Sequence, residues 1–190
     1  MADAASRADL SLAAFLDWEE QQPERFERVG GVVRMMAGGT AGHDRISLNA
    51  AFALQAGLRG TDCVVHGSNL KVVSQRGDVF YPDAFVRCGA RNDRTTTVDD
   101  PVIVVEVLSE STALSDLTRK RQAYKTILSL RAIIYISPDR ARIDLIRRRA
   151  DGTWNEDEVI EGLGSQLSLS EIGLSLPLSA IYADTEVEAA

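Results

Sequence analysis

Cysteine and histidine are scarce: the 190 residues hold two of each, Cys63 with Cys88 and His43 with His66. Two cysteines make neither a disulfide framework nor a four-cysteine zinc site, and two histidines make no histidine-rich metal centre. Both cysteines are expected as strand residues buried in a reducing compartment. Aromatic residues amount to 6%, too few for the interleaved stacking platform of a single-strand binder. No apolar run approaches the roughly 18 residues of a membrane helix, and no basic stretch precedes an apolar block at the N-terminus. A cytoplasmic protein with no membrane partner is the expectation. Lys and Arg are absent from residues 151–190, which carry nine acids.

The net charge of −7 speaks at first against nucleic acid, but it is unevenly spread. Residues 1–33 balance to −4, residues 34–150 to +6 and residues 151–190 to −9. A basic middle between acidic ends reads either as a basic cleft with an acidic rim or as a mixed surface with solubilising ends. With 45% apolar residues, and no internal repeat, low-complexity tract or linker, the chain reads as one domain with a core over about 12–182 and an acidic tail at 183–190.

Hydrophobic periodicity predicts a helix over 11–20, a hairpin over 26–36 around Gly30-Gly31, and a helix over 43–58 after the loop 38–44. Strand-like runs follow at 63–66, 70–74, 79–88 and 101–109, with a polar loop at 90–100. A second long helix is expected over 113–129, with Leu117, Tyr124, Ile127 and Leu128 facing the core. Strands at 132–137 and 142–149 come next, then a turn at Asp151-Gly152 and a tail whose short apolar clusters pad an edge before fraying. The result is a mixed α/β domain with helices bracketing a sheet.

Two acids sit where strand propensity disfavours them: Asp83 within VFYPDAFV and Glu106 within VIVVEV. Carboxylates in apolar strands must be paired, protonated or bound to a cation. Pro82 points to an edge or bulge that re-aims Asp83, and alternation puts Val104 and Glu106 on one face. On neighbouring strands the two acids converge into a site for a hard cation such as Mg²⁺; the plainer alternative is an arginine partner for each. Asp116, Lys120 and Tyr124, spaced by four, share one helical face. That face is either a solvated Asp–Lys pair or the source of a lysine that holds water and neutralises a phosphate. Arg147-Arg148-Arg149 reads as a solvated strand end or a phosphate contact. GGTAGHD lacks the Lys-Ser/Thr of a P-loop, His43-Asp44 lacks the further histidines of an HD phosphohydrolase, and no G-x-S-x-G elbow exists.

The ordered set Pro82-Asp83, Glu106-Val107-Leu108-Ser109, Ser111-Thr112, and Asp116 with Lys120 and Tyr124 resembles the PD-(D/E)xK nuclease superfamily. More narrowly, the chain is similar to the Uma-type (DUF820-like) family of restriction endonucleases over residues 12–182. FERVGG matches that family's entry hairpin at Glu27 and Gly31, and His43 falls where the family often has a histidine opening the second helix. The resemblance implies a restriction-endonuclease-like α/β fold: a central mixed sheet flanked by helices, with an N-terminal β-hairpin. It implies Asp83 and Glu106 as ligands of Mg²⁺ or Mn²⁺ with the Val107 carbonyl as a further ligand. Lys120 would activate the attacking water, Glu27 would be an accessory acid, and Tyr124, Asp116 and His43 would be possible auxiliaries. The superfamily's lysine position, two residues after the acid, is Leu108 here, and Lys120 on the following helix stands in the location the narrower family uses. The expected activity is metal-dependent hydrolysis of DNA by a homodimer. The alternatives are an inert binding domain of the same fold, or a phosphodiesterase acting on RNA or small nucleotides.

Overall fold

The computed structural model describes residues 10–36, 38–109 and 114–187, without the side chains of 114–116. The chain enters through α1 (Leu12–Glu19), which starts where the Ser11 hydroxyl accepts the Ala14 N–H at 3.2 Å. β1 (Phe26–Val29) and β2 (Val32–Met35) form the expected hairpin. Val29 pairs with Val32, leaving a two-residue turn in which Gly30 and Gly31 adopt φ of 57° and 76°. Such a turn matches strand twist and needs two positive φ values, which glycine adopts without a Cβ penalty. α2 (Ala41–Gly57) follows, capped by the Thr40 hydroxyl on the His43 N–H. β3 (Cys63–Gly67) and β4 (Lys71–Val73) come next.

The run 79–88, expected as one strand, is two. β5 (Val79–Phe80) and β6 (Ala84–Cys88) lie in different sheets, with Tyr81, Pro82 and Asp83 crossing between them. Proline has no N–H to donate to a ladder, so the strand breaks there. The loop 90–100 contains a short strand, β7 (Thr97–Val98), parallel to β4. β8 (Ile103–Val107), α3 (Leu114–Tyr124) and β9 (Ala132–Ile136) form a crossover that makes β8 and β9 parallel. β10 (Arg142–Arg147) and β11 (Glu158–Glu161) continue the sheet, and the hairpin of β12 (Gln166–Leu169) and β13 (Leu174–Pro177) leads into α4 (Leu178–Ile181).

The main sheet is mixed, in the order β11-β10-β9-β8-β6-β3, and a second sheet runs β2-β1-β5-β4-β7. Alternation along β8 and β9 feeds two cores, because both strands are buried on both faces. Ile103, Val105, Ile134 and Ile136 pack with Ile46 and Leu54 of α2 and with the C-terminal hairpin and α4. Val104, Ile133 and Tyr135 pack on the other face with Tyr124, Ile127 and the second sheet's Val72 and Phe80. Phe15 of α1 closes the far side of the second sheet against Val33, Val73 and Val79.

Several expectations are corrected. Helical geometry ends at Tyr124, so Leu128 falls out of phase and is 68% exposed, while Ile127 is buried. The tail does not merely pad an edge: Leu167, Leu169, Leu178, Ile181 and Tyr182 lie in the main core. Nor does it fray at once, since the Asn49 amide donates to the Ile181 and Ala183 carbonyls and Val187 packs against that core. Four of the C-terminal acids serve as counter-charges to arginines of the basic middle segment. Asp157 pairs with Arg121, Glu161 with Arg142, and Glu158 and Glu171 with Arg147. Arg147 is thereby neither solvated nor available to phosphate, and Arg148 donates to the Lys125 and Ile127 carbonyls beneath Trp154. Cys63 and Cys88 are only half-buried, and as register partners on β3 and β6 they are joined by a disulfide in place of the expected free thiols.

The Tyr182 hydroxyl donates to the Ser137 or Arg142 carbonyl and accepts the Arg142 N–H. Tyr182→Ala is therefore expected to lower the free energy of unfolding by about 3–5 kcal/mol in a denaturant titration, the cost of removing a large buried aromatic ring. A tail that only covered an edge would lose less than about 1 kcal/mol.

Candidate active site

Ala84 pairs with Val105 across β6 and β8, so Asp83, one residue earlier, and Glu106, one residue later, meet at the open end of the two strands. The crossing segment at Pro82 delivers Asp83 there, and its Oδ2 accepts the Val107 N–H at 2.7 Å. On the other side of β8, Tyr135 of β9 is the register partner of Glu106. The carboxylate of Glu106 belongs to the face of β8 that also carries Val104, as alternation requires.

α3 packs its Lys120–Tyr124 face over these strand ends. The Lys120 ammonium lies 2.8 Å from Glu106 Oε1 and 2.9 Å from Glu27 Oε1. Tyr124, stacked on Phe80, donates its hydroxyl to the same Glu106 Oε1. The i,i+4 spacing read from the sequence thus brings Lys120 and Tyr124 to one carboxylate. Asp116 lies on α3 with its side chain outside the described residues, as do Ser111 and Thr112 in full. Glu27, from β1, also accepts the Tyr81 N–H at 2.9 Å. His43, from the first turn of α2, has Nε2 3.1 Å from the Val107 carbonyl oxygen and 3.5 Å from Asp83 Oδ2. Glu27, Asp83, Glu106, Val107, Lys120 and His43 all line a cleft of about 340 Å³, and a neighbouring groove of about 740 Å³ shares His43 and Asp83.

Burial dominates the electrostatics. It raises the Asp83 carboxyl above its ordinary value against the opposing pull of His43, the Val107 N–H and Lys120. Glu106 is pushed up to about 7 by burial and by the nearby Asp83 and Glu27, with Lys120 acting against the rise. Burial alone would lower the Lys120 pKa, but Glu106 and Glu27 outweigh it and the ammonium titrates above its ordinary range. Tyr124 is raised for the same two reasons, burial first and then the carboxylates. Three carboxylates therefore share one ammonium.

This donor set fits a hard dication. Asp83 and Glu106 offer carboxylate oxygens and Val107 a carbonyl, and their charge is incompletely offset by the protein. Among the described residues no three side chains of His, Cys, Asp or Glu close into a cage around one point. A two-carboxylate set is consistent with Mg²⁺, which usually keeps several of its waters.

Sequence reasoning missed a second buried cluster. Glu19, 4% exposed, pairs with buried Lys71 at 2.9 Å and accepts the Tyr81 hydroxyl at 2.7 Å. Its signal was an acid four residues after Phe15, on the buried face of α1. Through Tyr81 this cluster holds both the crossing segment and Glu27.

Removing the Lys120 charge should destabilise the fold in a pH-dependent way. The raised pKa of Glu106 makes the folded state bind more protons than the unfolded state between about 4.5 and 7, so stability falls as pH rises through that window. Without Lys120 the folded-state value rises further and the window extends upward. Lys120→Met is expected to cost about 3 kcal/mol at pH 8, as for a broken buried pair, and less than half of that at pH 5, measured by urea unfolding at both values.

The family model described as "Putative restriction endonuclease" (Uma2) matches residues 12–179. Two uncharacterized proteins of Synechocystis sp. are similar along most of their length. One is 33% identical over 176 residues, covering 91% of each chain. The other is 27% identical over 149 residues, covering 76% of this chain and 84% of the relative. The fold is that of a crystal structure described as a putative nuclease belonging to DUF820 from Anabaena variabilis, with a TM-score of 0.74 at 15% identity over 92% of this chain and 98% of that one. With a match across this span, and with the fold and the meeting of Asp83, Glu106 and Lys120 described above, the chain belongs to the Uma2 family of restriction-endonuclease-like proteins.

Proposed function

We propose that the protein is a divalent-metal-dependent endonuclease that hydrolyses phosphodiester bonds of DNA, working as a homodimer. The observation that carries this reading is the convergence of Asp83, Glu106 and the Lys120 ammonium from three separate elements on one open cleft. Asp83, Glu106 and the Val107 carbonyl would hold Mg²⁺ or Mn²⁺, which supplies Lewis-acid activation of phosphate and water. Lys120 stays protonated, so it orients the attacking water and offsets charge building on the phosphate rather than acting as the base. Glu27 shares that ammonium and accepts a hydrogen bond from the same water. Tyr124 fixes one oxygen of Glu106, and His43 steadies the Val107 carbonyl beside Asp83. The DNA substrate is supported by the family description, and a two-fold pair of chains is the simplest way to cut two strands with one site each.

The test is cleavage of supercoiled plasmid and of a pooled oligonucleotide duplex with Mg²⁺ or Mn²⁺. Asp83→Ala and Lys120→Ala should each reduce the rate by about 10²–10³-fold, and chelation should abolish it. Unchanged rates in both variants would contradict the mechanism. Cleavage of RNA in place of DNA would move the substrate class and leave the site intact.

A second expectation concerns pH. Cation binding needs Glu106 ionised, so protons compete with the metal below a pKa of about 7. Mn²⁺ affinity in a calorimetric titration should rise about tenfold per pH unit up to pH 7 and then level off. An affinity flat from pH 5.5 to 8 would exclude Glu106 as a ligand.

A further inference from the structure

The groove of about 740 Å³ has no part in the hydrolytic chemistry, yet it shares His43 and Asp83 with the catalytic cleft. A strand whose phosphate lies at Asp83 therefore brings its adjoining nucleotide to this groove. Arg25, immediately before β1, is exposed and lines it. An exposed arginine ordinarily samples many rotamers. This one is held by two other segments. One Nη donates to the Ser68 carbonyl at 3.0 Å and the other to the Asn69 side-chain oxygen at 2.5 Å, in the loop between β3 and β4. The guanidinium carbon also lies 5.6 Å from the ring centroid of Tyr81, in the segment that delivers Asp83. These contacts fix the plane of the fork before any ligand arrives. They engage two of its five N–H groups and leave three.

The charge of the groove narrows what those donors can meet. Among the described residues its lining carries Glu24, Asp44 and Asp83 against Arg25. Glu24 and Asp44 form no ion pair among the described residues, so their carboxylates face the groove uncompensated. An acidic lining repels phosphate and disfavours the groove as a track for the nucleic-acid backbone. A base edge is neutral and presents both donors and acceptors. Carboxylates accept from the cytosine amino group, and a planar arginine fork matches the O6 and N7 acceptors of guanine.

We infer that this groove reads a G·C pair beside the cleaved phosphate, with Arg25 donating to O6 and N7 of the guanine. The inference rests on the nuclease reading and names the contact that sets sequence preference at the same site. Arg25→Lys keeps the positive charge and removes the planar fork, so it separates base reading from charge. A duplex pool randomised in sequence is cleaved with Mn²⁺ by wild type and variant, and the fragment ends are sequenced. Urea midpoints of the two proteins are compared alongside. The wild type should favour guanine at one position flanking the cut by roughly 5–100-fold, and Arg25→Lys should lose that preference at an unchanged midpoint. A guanine preference that survives in Arg25→Lys overturns the inference, as does a wild type that cuts with none. Uniformly weaker cleavage of all sequences with a shallower salt dependence also overturns it, because that marks a phosphate contact. A lowered midpoint with uniform loss overturns it too, since Arg25 would then only brace the loop. If the wild type cleaves no DNA, the nuclease reading falls and takes the inference with it. That outcome is distinct from a failure confined to Arg25.

Discussion

The Lys120 ammonium holds the site together by bridging Glu27 and Glu106. Glu27 belongs to the second sheet, Glu106 to the main sheet and Lys120 to the helix between β8 and β9, so one cation joins three elements. A buried carboxylate pair would repel itself and be forced to protonate; a buried ammonium alone would be equally unfavourable. Together they offset each other only in part, because Asp83 adds a third carboxylate. That residual negative charge, enclosed by low-dielectric walls, is the property the proposed chemistry uses. It also explains why Tyr124, Tyr81 and the Val107 N–H all aim hydrogen-bond donors at these carboxylates.

The seam between the two sheets exists because the chain breaks at Pro82. Before it, Phe80 pairs within the second sheet; after it, Ala84 pairs within the main sheet. Asp83 sits at that break, its carboxylate free of ladder geometry and turned toward β8. The Glu19–Lys71–Tyr81 cluster anchors the same break from below. Stability and site geometry are thus coupled: the buried ion pair at Glu19 holds Tyr81, and Tyr81 holds Glu27 through its backbone N–H.

Much of the site was legible in the sequence because its signals are local. An acid inside an apolar strand, a proline before it and a four-residue helical spacing each require only neighbouring residues to interpret, and they led to Asp83, Glu106, Lys120 and Tyr124. The glycine pair at Gly30-Gly31 likewise declared its hairpin through φ requirements alone. What stayed hidden depends on which strands become neighbours. The division of 79–88 between two sheets, the disulfide of Cys63 and Cys88, and the pairing of Arg147 with Glu171 are all non-local. Glu19 looked like an ordinary acid on a surface helix until Lys71 was placed beneath it.

The central claim is that the partly compensated carboxylates of Asp83 and Glu106 are a cation site. Anomalous diffraction from crystals of the protein soaked in Mn²⁺ tests it most directly. The account predicts one strong peak in contact with carboxylate oxygens of both Asp83 and Glu106, at about 2.0–2.3 Å for an oxygen-ligated divalent ion of this size. A saturating soak that leaves this cleft without a peak, or places manganese only at surface acids, would contradict it.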